Sequence, residues 1–510
     1  MLAKLNSFAL NGIDGYVVEV ETDIHNGMPG FETVGLPDAA IKESKERVRS
    51  AIKNSGFQYP TTRITVNLAP ADTKKVGPFY DLSIALCILA ASEQISYKLV
   101  KDYCFLGELA LDGRVRHING VLPLLIAARS AGFRKIIIAK ENAAEASFIE
   151  GLEVYGVESL QHCVKFLTKE IELAAEPTRS VIEAINQGAC SSDFCYVKGQ
   201  YKAKRALEIA AAGGHNILMI GPPGAGKTML AKALPGILPD MTAAEALETT
   251  KIHSVAGQLD RNVGIVTERP FRTPHHTATM IALTGGGNNA KPGEISLAHN
   301  GILFLDELPE YNKHALETLR QPLEDGVIGI SRNARSVTYP ANFMLVASMN
   351  PCPCGYYGSE KHDCSCTPSE INRYMNKISG PLFDRIDLQV GVDSVEYDDL
   401  ASTDLAEPSS AVKARVDAAR AIQTKRFAGT ETFCNAKMTS RQLTECCVLD
   451  PAAEMLMRKA FDTLSMSARA HNRVLKVART IADLAGEERI SAKAVAEAIQ
   501  YRTLDKKYSI

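Results

Sequence analysis

Residues 215–234 read HNILMIGPPGAGKTMLAKAL, and this stretch decides the fold. Four apolar residues at 217–220 predict a buried strand, the pattern G-x-x-x-x-G-K-T follows at 221–228, and the residues after it predict a helix. The glycines let consecutive backbone N–H groups face one anion, with the helix N-terminus behind them. A chance match in a glycine-rich turn is the alternative, but the flanking strand and helix are the context that a phosphate-binding loop requires.

This loop and a second strand predict the ligands of ATP and its metal ion. The loop residues are Gly221, Pro222, Pro223, Gly224, Ala225, Gly226, Lys227 and Thr228. Lys227 is expected to reach the β- and γ-phosphates, and Thr228 to ligate Mg²⁺. Downstream, GILFLDELPE (301–310) predicts a strand ending at Asp306, which would hold Mg²⁺ through water, and Glu307, which would polarise the attacking water. Taken alone, two carboxylates after a strand would indicate a helix N-cap, but the upstream loop disfavours that interpretation.

Further candidates for the hydrolysis step follow along the chain. NFMLVASMN (342–350) predicts a third strand, ending at Asn350, which is placed to orient the water. GPLFDRIDLQV (380–390) carries Arg385, and an arginine supplied by a neighbouring subunit accelerates phosphoryl transfer by powers of ten. An ion pair with one of the nearby aspartates is the alternative for Arg385. Arg469 and Arg473, four residues apart on a predicted helix, share one face, and Arg469 is the favoured candidate for closing over the nucleotide.

A cluster of cysteines follows Asn350 directly. SMNPCPCGYYGSEKHDCSC (348–366) contains Cys352, Cys354, Cys364 and Cys366 in the pattern C-x-C-x9-C-x-C. A disulfide within one C-x-C pair would be strained, and a reducing compartment disfavours it. Four thiolates satisfy tetrahedral Zn²⁺ and leave no open position, so the pattern predicts a structural zinc site. Free thiols, an iron–sulfur cluster, and replacement of one sulfur by His362 remain alternatives.

Composition limits the class of protein. The chain has 510 residues, 45% hydrophobic and 23% charged, which predicts a soluble globular protein of two or three domains. The net charge is −2, so contact with nucleic acid would need a local basic patch. No signal-peptide pattern or membrane-spanning apolar run is visible, and a cytoplasmic location is expected.

The chain divides into four predicted segments. Residues 1–166 alternate short β-branched runs with helices and predict a compact α/β domain. Residues 167–195 predict a linker, 196–395 a second α/β domain that carries the phosphate loop, and 396–510 a helical domain.

In this order, the motifs resemble those of an AAA+ ATPase. The stretches that resemble the magnesium-chelatase-like branch are RPFRTPHHTATMIALTGGG, KPGEISLAHNGILFLDELPEY, LETLRQPLEDGVIGISR and MNPCPCGYYG. With the N-terminal block, the chain is similar to the ComM/YifB family over essentially its whole length. The resemblance implies that Lys227 and Thr228 are Walker A residues, Asp306 and Glu307 the Walker B pair, Asn350 sensor 1, Arg385 the arginine finger and Arg469 sensor 2. It also implies a homohexameric ring that moves along single-stranded or branched DNA and promotes branch migration in recombination or natural transformation.

The N-terminal block resembles the Lon-protease-like domain of the ribosomal S5 superfold. Peptide hydrolysis by that fold uses a serine activated by a lysine. Here Phe79 stands at the serine position, and the lysine region reads VLPLLI, so we expect no protease activity. Assembly or DNA binding is the expected role of this domain. Its candidate DNA contacts are Lys74, Lys75, Arg114 and Arg116.

Two stretches of the second domain predict insertions. VIGISRNARSVTY (327–339) predicts a hairpin with Arg332 and Arg335 at its tip, which the resemblance identifies as a pre-sensor-1 hairpin. A ring would line its pore with these arginines, although a basic turn on a hairpin is usually just solvated. The glycines at 285–287 predict the tip of a helix-2 insert. His275 and His276 invite a metal-site interpretation, but adjacent side chains of an extended strand point in opposite directions, which favours packing or hydrogen bonding.

The sequence therefore predicts an ATP- and Mg²⁺-dependent ring motor acting on DNA. Two alternatives remain: the ATPase motor subunit of a metal chelatase, and a protein-remodelling ATPase. The arginines of the predicted pore tip, where a polypeptide motor would carry aromatic residues, weakly disfavour the second alternative.

Overall fold

The computed structural model describes residues 2–185, 192–287, 290–332, 335–359, 362–394 and 405–502. The N-terminal block is built on a seven-stranded sheet of order β3-β4-β2-β1-β5-β8-β9. The strands of this block are β1 (Leu2–Asn11), β2 (Asp14–His25), β3 (Gly30–Val34), β4 (Arg63–Ala69), β5 (Tyr103–Phe105), β6 (Glu108–Leu109), β7 (Val115–Arg116), β8 (Lys135–Ala139) and β9 (Glu153–Val157). Its helices are α1 (Ala39–Asn54), α2 (Asp81–Ala91), α3 (Tyr97–Val100), α4 (Val121–Ser130), α5 (Ala143–Ala146), α6 (Leu160–Leu167) and α7 (Val181–Ile185).

The sequence of α2, DLSIALCILAA, is apolar except for Asp81 and Ser83, and all of its residues are buried, so this helix forms the centre of the N-terminal core. The chain after α6 packs back on the same block, because Glu176 N donates to Val154 O at 2.8 Å and Arg179 N to Ser147 O at 2.7 Å.

The second block is built on a five-stranded parallel sheet of order β11-β14-β17-β10-β18. The strands of this block are β10 (Ile217–Ile220), β11 (Phe271–Arg272), β12 (Gly285–Gly286), β13 (Lys291–Pro292), β14 (Ile302–Leu305), β15 (Val327–Arg332), β16 (Arg335–Pro340), β17 (Met344–Met349) and β18 (Leu388–Gly391). Its helices are α8 (Tyr201–Gly213), α9 (Lys227–Ala233), α10 (Ala243–Ala256), α11 (Met280–Thr284), α12 (Glu294–Leu297), α13 (Lys313–Glu317), α14 (Arg320–Asp325), α15 (Pro368–Met375) and α16 (Gly380–Phe383). Every residue of β10, β14 and β17 is buried, as expected for strands covered on both faces.

In the residues described after β18, five helices follow: α17 (Ser409–Arg426), α18 (Ser440–Cys446), α19 (Pro451–Leu464), α20 (Ala468–Leu484) and α21 (Ala492–Gln500). They share one hydrophobic core with the parallel sheet, and His215 Nε2 lies 2.8 Å from Thr480 Oγ1 across this contact. Short 3₁₀ turns lie at Lys140–Asn142, Phe194–Tyr196, Leu234–Ile237, Leu308–Glu310 and Asn435–Lys437. In the described residues, no helix has the length and apolar character needed to span a bilayer.

The N-terminal block docks on α10 through a buried carboxyl group. Gly120 N donates to Ser254 O at 3.1 Å, and Leu122 N donates to Glu145 Oε1 at 2.8 Å. The Ser254 hydroxyl donates to the same Glu145 oxygen. Burial raises the pKa of Glu145 to about 7, although these two donors oppose the shift.

We expect this carboxyl group to make stability fall as the pH rises. Between its ordinary pKa of 4.5 and about 7, folded Glu145 keeps a proton that the unfolded chain has released. Unfolding free energy therefore decreases across that interval, by on the order of 3 kcal/mol in total. Glu145→Gln should remove this loss, so its melting temperature relative to the wild type should rise from pH 5 to pH 8. Glu141→Gln, which changes an exposed carboxylate, serves as control. If the melting temperature of Glu145→Gln relative to the wild type does not change with pH, Glu145 is not protonated in the folded protein as proposed.

Candidate active site

The loop at 221–228 joins β10 to α9, as the sequence predicts. Gly224 and Gly226 have φ values of +77° and +88°, a conformation that glycine adopts without strain. In the described part of the chain, no atom outside the adjacent residues lies within 4 Å of a Cβ built at either position. The backbone there borders open space at the N-terminus of α9. Gly221 is required for a different reason, since its Cβ would lie 2.0 Å from Val392 O.

Lys227 lies at the centre of this site. Its ammonium group donates to Gly221 O at 2.7 Å, Pro222 O at 2.9 Å and Asn350 Oδ1 at 3.0 Å. The structure thus brings together Lys227 and Asn350, which are 123 residues apart in the chain. Burial lowers the pKa of Lys227, and the carboxylates of Asp306 and Glu307 oppose that shift.

A second set of contacts surrounds Asp306 at the end of β14. Thr228 Oγ1 donates to Asp306 Oδ2 at 2.8 Å, and the Ser348 hydroxyl donates to Asp306 Oδ1. Glu307 N donates to Ser348 Oγ at 3.3 Å, and Glu307 itself has φ = +53°, a strained backbone conformation typical of functional sites. A hydroxyl and a carboxylate oxygen are the donors that Mg²⁺ prefers, so Thr228 and Asp306 fit this ion.

Sequence reasoning missed Ser348 and Tyr311. Ser348 lies two residues before Asn350, and side chains two apart on a strand share a face, so the pattern S-M-N contained the signal. Tyr311 is buried, its hydroxyl donates to Pro274 O, and burial together with Asp306 and Glu307 raises its pKa. No sequence pattern indicated this tyrosine.

The prediction that His275 and His276 point in opposite directions is wrong. Their ring centroids lie 4.1 Å apart with an interplanar angle of 33°, because the chain turns here and does not continue as a strand. His275 Nδ1 lies 2.8 Å from Thr277 Oγ1, so the predicted hydrogen bonding does occur.

The four cysteines converge beside the phosphate loop. Cys352 Sγ lies 3.3 Å from Cys354 Sγ and 3.7 Å from Cys364 Sγ, and all four sulfur atoms lie within 4.8 Å of one another. Four sulfur atoms at about 2.3 Å from a tetrahedral Zn²⁺ would lie about 3.8 Å apart, so the spacing fits that ion. Backbone N–H groups of Cys354 and Tyr357 donate to Cys366 Sγ and Cys352 Sγ, both at 3.3 Å, as expected around thiolates.

The cysteine loop also contacts the phosphate loop. Gly355 has φ = +88°, and a Cβ at this position would lie 2.5 Å from Pro223 Cδ. The two loops therefore pack together at a point where only glycine fits.

Arg385 lies at the end of the parallel sheet where the strands begin, opposite the carboxyl end that carries the phosphate loop. Asn216 Nδ2 donates to Arg385 O at 2.9 Å, and Asn216 precedes β10, whereas the loop follows it. Five residues of strand span about 16 Å, so Arg385 is distant from the phosphate loop of its own chain. The alternative ion pair with an adjacent aspartate does not form, since Arg385 NH2 instead contacts Glu324.

The helix α20 carries the other two arginines. Arg473 is half-buried, with its Nε 3.9 Å from Asp387 Oδ1, just before β18. Arg469 is exposed one turn earlier and makes no ion pair within the described residues. In the described residues, no hydrogen bond or ion pair joins either arginine to the phosphate loop of the same chain, and the sensor 2 role of Arg469 stays a prediction.

The predicted hairpin at 327–339 forms from β15 and β16, with Val327 opposite Pro340 and Arg332 opposite Arg335. The side chains of Arg332 and Arg335 lie outside the described residues. In the N-terminal block, the prediction that Lys75 contacts DNA is wrong, because this residue is fully buried. Arg114 and Arg116 are exposed and pair with Asp112 and Glu108.

Comparison with known proteins gives the family. Residues 193–400 match the family model described as magnesium chelatase, subunit ChlI, residues 20–142 match subunit ChlI of Mg-chelatase, and residues 406–502 match the ChlI C-terminal model. The phosphate loop and its parallel sheet lie within the first of these matches.

Sequence identity to individual proteins defines the family more narrowly than the magnesium-chelatase models do. The chain is 46% identical to "Competence protein ComM" of Haemophilus influenzae over 99% of this chain and 98% of that protein. It is 43% identical to "Uncharacterized protein YifB" of Escherichia coli over the same shares. Similarity to the magnesium-chelatase 38 kDa subunit of Cereibacter sphaeroides is lower, at 27% over 31% of this chain and 52% of that protein. The chain belongs to the ComM/YifB family of magnesium-chelatase-like AAA+ proteins.

Proposed function

We propose that this protein is an Mg²⁺-dependent ATPase that works as a homohexameric ring motor on single-stranded or branched DNA. The observation that supports it most directly is the pair of contacts Lys227–Asn350 and Thr228–Asp306, formed at the carboxyl edge of the parallel sheet. Ligands of open α/β sheets bind at this edge, and the loop N–H groups, one ammonium and two carboxylates match the chemistry of a nucleoside triphosphate.

Each residue of the site has a separate role in ATP hydrolysis. Lys227 exchanges its present carbonyl acceptors for phosphate oxygens, and this exchange frees the Asn350 amide to orient the attacking water. Glu307 polarises that water, and Ser348 fixes the orientation of the Asp306 carboxylate through its hydrogen bond. Bound through Thr228 and Asp306, Mg²⁺ would neutralise charge on the phosphates.

The position of Arg385 supports assembly into a ring. Hydrolysis at AAA+ sites uses a cation on the γ-phosphate, yet Arg385 lies at the edge of the sheet remote from its own phosphate loop. A head-to-tail contact brings the amino edge of one protomer to the carboxyl edge of the next, and such contacts form a ring when the rotation between protomers closes. The arginine finger therefore acts between protomers.

Finer assignments of the fold are part of the proposal. Residues 1–166 form a Lon-protease-like domain without proteolytic activity, 167–195 a linker, 196–395 the AAA+ core and 396–510 the helical lid. The β12–β13 ribbon with α11 forms the helix-2 insert, and β15–β16 the pre-sensor-1 hairpin.

The test of this proposal is the ATP turnover rate with and without single-stranded, duplex and branched DNA. We expect stimulation by single-stranded or branched DNA and a rate per chain that falls on dilution. A failure of every DNA to stimulate turnover would overturn the DNA motor and favour the chelatase or protein-remodelling alternatives.

The hairpin tip supplies a specific prediction about DNA. Arg332→Ala should weaken DNA binding several-fold and reduce its salt dependence, because six guanidinium groups leave the pore. Turnover without DNA should stay unchanged. Fluorescence anisotropy of labelled DNA across a salt series measures this effect, with the exposed Arg441→Ala as control. Unchanged DNA affinity would contradict the pore role.

We also propose that the cysteine cluster holds structural Zn²⁺. The sulfur spacing and the backbone N–H donors support this ion, and four thiolates leave no position for a substrate. Elemental analysis of protein purified without chelators should find one zinc per chain, and Cys364→Ser with Cys366→Ser should lose it. Iron in its place would indicate a cluster, and the absence of both metals would overturn the site.

The contact between the two loops gives a further prediction. Gly355→Ala should weaken nucleotide affinity about tenfold, because the new Cβ forces Pro223 and the phosphate loop to move. Titration with a fluorescent ATP analogue measures this affinity. Gly429→Ala is a matched control, since Gly429 has a similar φ of +79° but no atom of any non-adjacent described residue within 4 Å of its Cβ position. Equal nucleotide affinities of the two variants would show that the packing of the cysteine loop against the phosphate loop does not affect nucleotide binding.

A further inference from the structure

Glu324 holds the arginine that the proposed function assigns to the neighbouring site. Arg385 NH2 contacts the Glu324 carboxylate, and Arg385 NH1 donates to Pro381 O at 2.7 Å. The Arg385 side chain is 17% exposed, whereas that of Glu324 is 64% exposed. In this arrangement the guanidinium is largely covered by its own protomer and is not presented to another one.

One donor of this guanidinium, the Nε–H group, is unsatisfied. Arg385 Nε is buried and has no hydrogen-bond partner within the described residues. A buried N–H without an acceptor costs free energy, so the position seen here is not the one in which all donors of Arg385 are used. A γ-phosphate offers three oxygen acceptors and a higher charge than one carboxylate, so it can displace Glu324.

Glu324 is also linked to the hairpin. It lies in α14, which ends at Asp325, and β15 begins two residues later at Val327. Leu323 beside it belongs to the same hydrophobic core as Ile328 of the hairpin and Phe383 and Ile386 around Arg385. Close-packed side chains move together, so a displacement of the hairpin changes the distance between Glu324 and Arg385.

We propose that Glu324 is a positioning residue that stores Arg385 away from the neighbouring site until the hairpin moves. This inference rests on the proposed function. Arg385 has two competing partners, Glu324 of its own chain and the γ-phosphate bound by the next protomer. DNA at the hairpin shifts the balance toward the second partner, so DNA stimulates hydrolysis by releasing the arginine.

The test uses Glu324→Gln in the full chain, at saturating MgATP and at a protein concentration where the wild type is assembled. Loss of a partly exposed ion pair changes an equilibrium by about two- to fivefold, so kcat without DNA should rise by that factor while KM stays unchanged. Stimulation by single-stranded or branched DNA should fall by the same factor. Glu324→Asp, which keeps the charge, should lie between Glu324→Gln and the wild type.

Asp325→Asn is the matched control, because it removes one exposed carboxylate from the adjacent position, and Asp325 makes no ion pair within the described residues. The kcat of Asp325→Asn without DNA and its stimulation by DNA should equal those of the wild type. A Glu324→Gln rate that is unchanged or lowered without DNA would overturn the storage role. If the wild type itself shows no response to DNA, the DNA motor fails, while the DNA-free rates of the two proteins still decide the role of Glu324.

Discussion

Arg385→Ala should lower ATP turnover by a factor of about 10³ or more, the contribution of arginine fingers in other phosphoryl-transfer enzymes. The physical reason is that developing negative charge on the γ-phosphoryl oxygens loses the cation that Arg385 of the next protomer supplies. Nucleotide affinity should change little, because Lys227, Thr228 and Asp306 remain. Steady-state phosphate release and a separate nucleotide titration distinguish these two effects. The exposed Arg441→Ala, which removes only a surface pair with Glu445, should retain full turnover.

Mixing experiments identify the protomer that supplies the arginine. Arg385→Ala protomers keep an intact phosphate loop, and Lys227→Ala protomers keep an intact arginine. In randomly mixed rings, about a quarter of the interfaces then combine both intact residues, and turnover should reappear. Full turnover of Arg385→Ala alone, or a wild-type rate per chain that is independent of dilution, would exclude an arginine finger acting between protomers.

Lys227→Ala should abolish ATP turnover and weaken nucleotide binding strongly. The ammonium group is the cation of the phosphate loop itself, and its burial means that no solvent cation replaces it at low cost. The substitution also leaves the Asn350 amide without its present partner. Calorimetric or fluorescence titration with ATP measures the binding loss, and phosphate release measures the turnover.

The control for this prediction lies on the same helix. Lys232→Ala removes an exposed lysine from α9 without approaching the loop, and its turnover should equal that of the wild type. Wild-type turnover in Lys227→Ala would mean that ATP is hydrolysed elsewhere in the chain.

The local parts of the site were predictable from the sequence. The strand at 217–220, the loop after it and the helix beginning at Lys227 form as the G-x-x-x-x-G-K-T pattern predicts, since each depends on residues within a few positions. The hairpin at 327–339 forms for the same reason, because its strands are adjacent in the chain. The cysteine spacing was also informative, and the four sulfur atoms do converge.

Other features were not predictable. The role predicted for Lys75 was wrong because its charge indicates exposure, whereas its side chain is fully buried between exposed or partly exposed neighbours. Ser348 shares a strand face with Asn350, but only the pairing of β14 with β17 brings its hydroxyl to Asp306. The burial of Tyr311 and its bond to Pro274 O depend on a segment 37 residues away in the chain. These side chains depend on neighbours that lie tens of residues away.

By itself, the sequence determined the phosphate loop, the carboxylates after the second strand, the hairpin and the family, because these depend on short-range patterns and on residue identity. Only the tertiary structure decided that Gly355 packs against Pro223, that Glu145 docks the N-terminal block and that Glu324 holds Arg385. Each of these contacts joins segments far apart in the chain. Their geometry follows from how whole sheets and helices pack, which no local pattern of residues encodes.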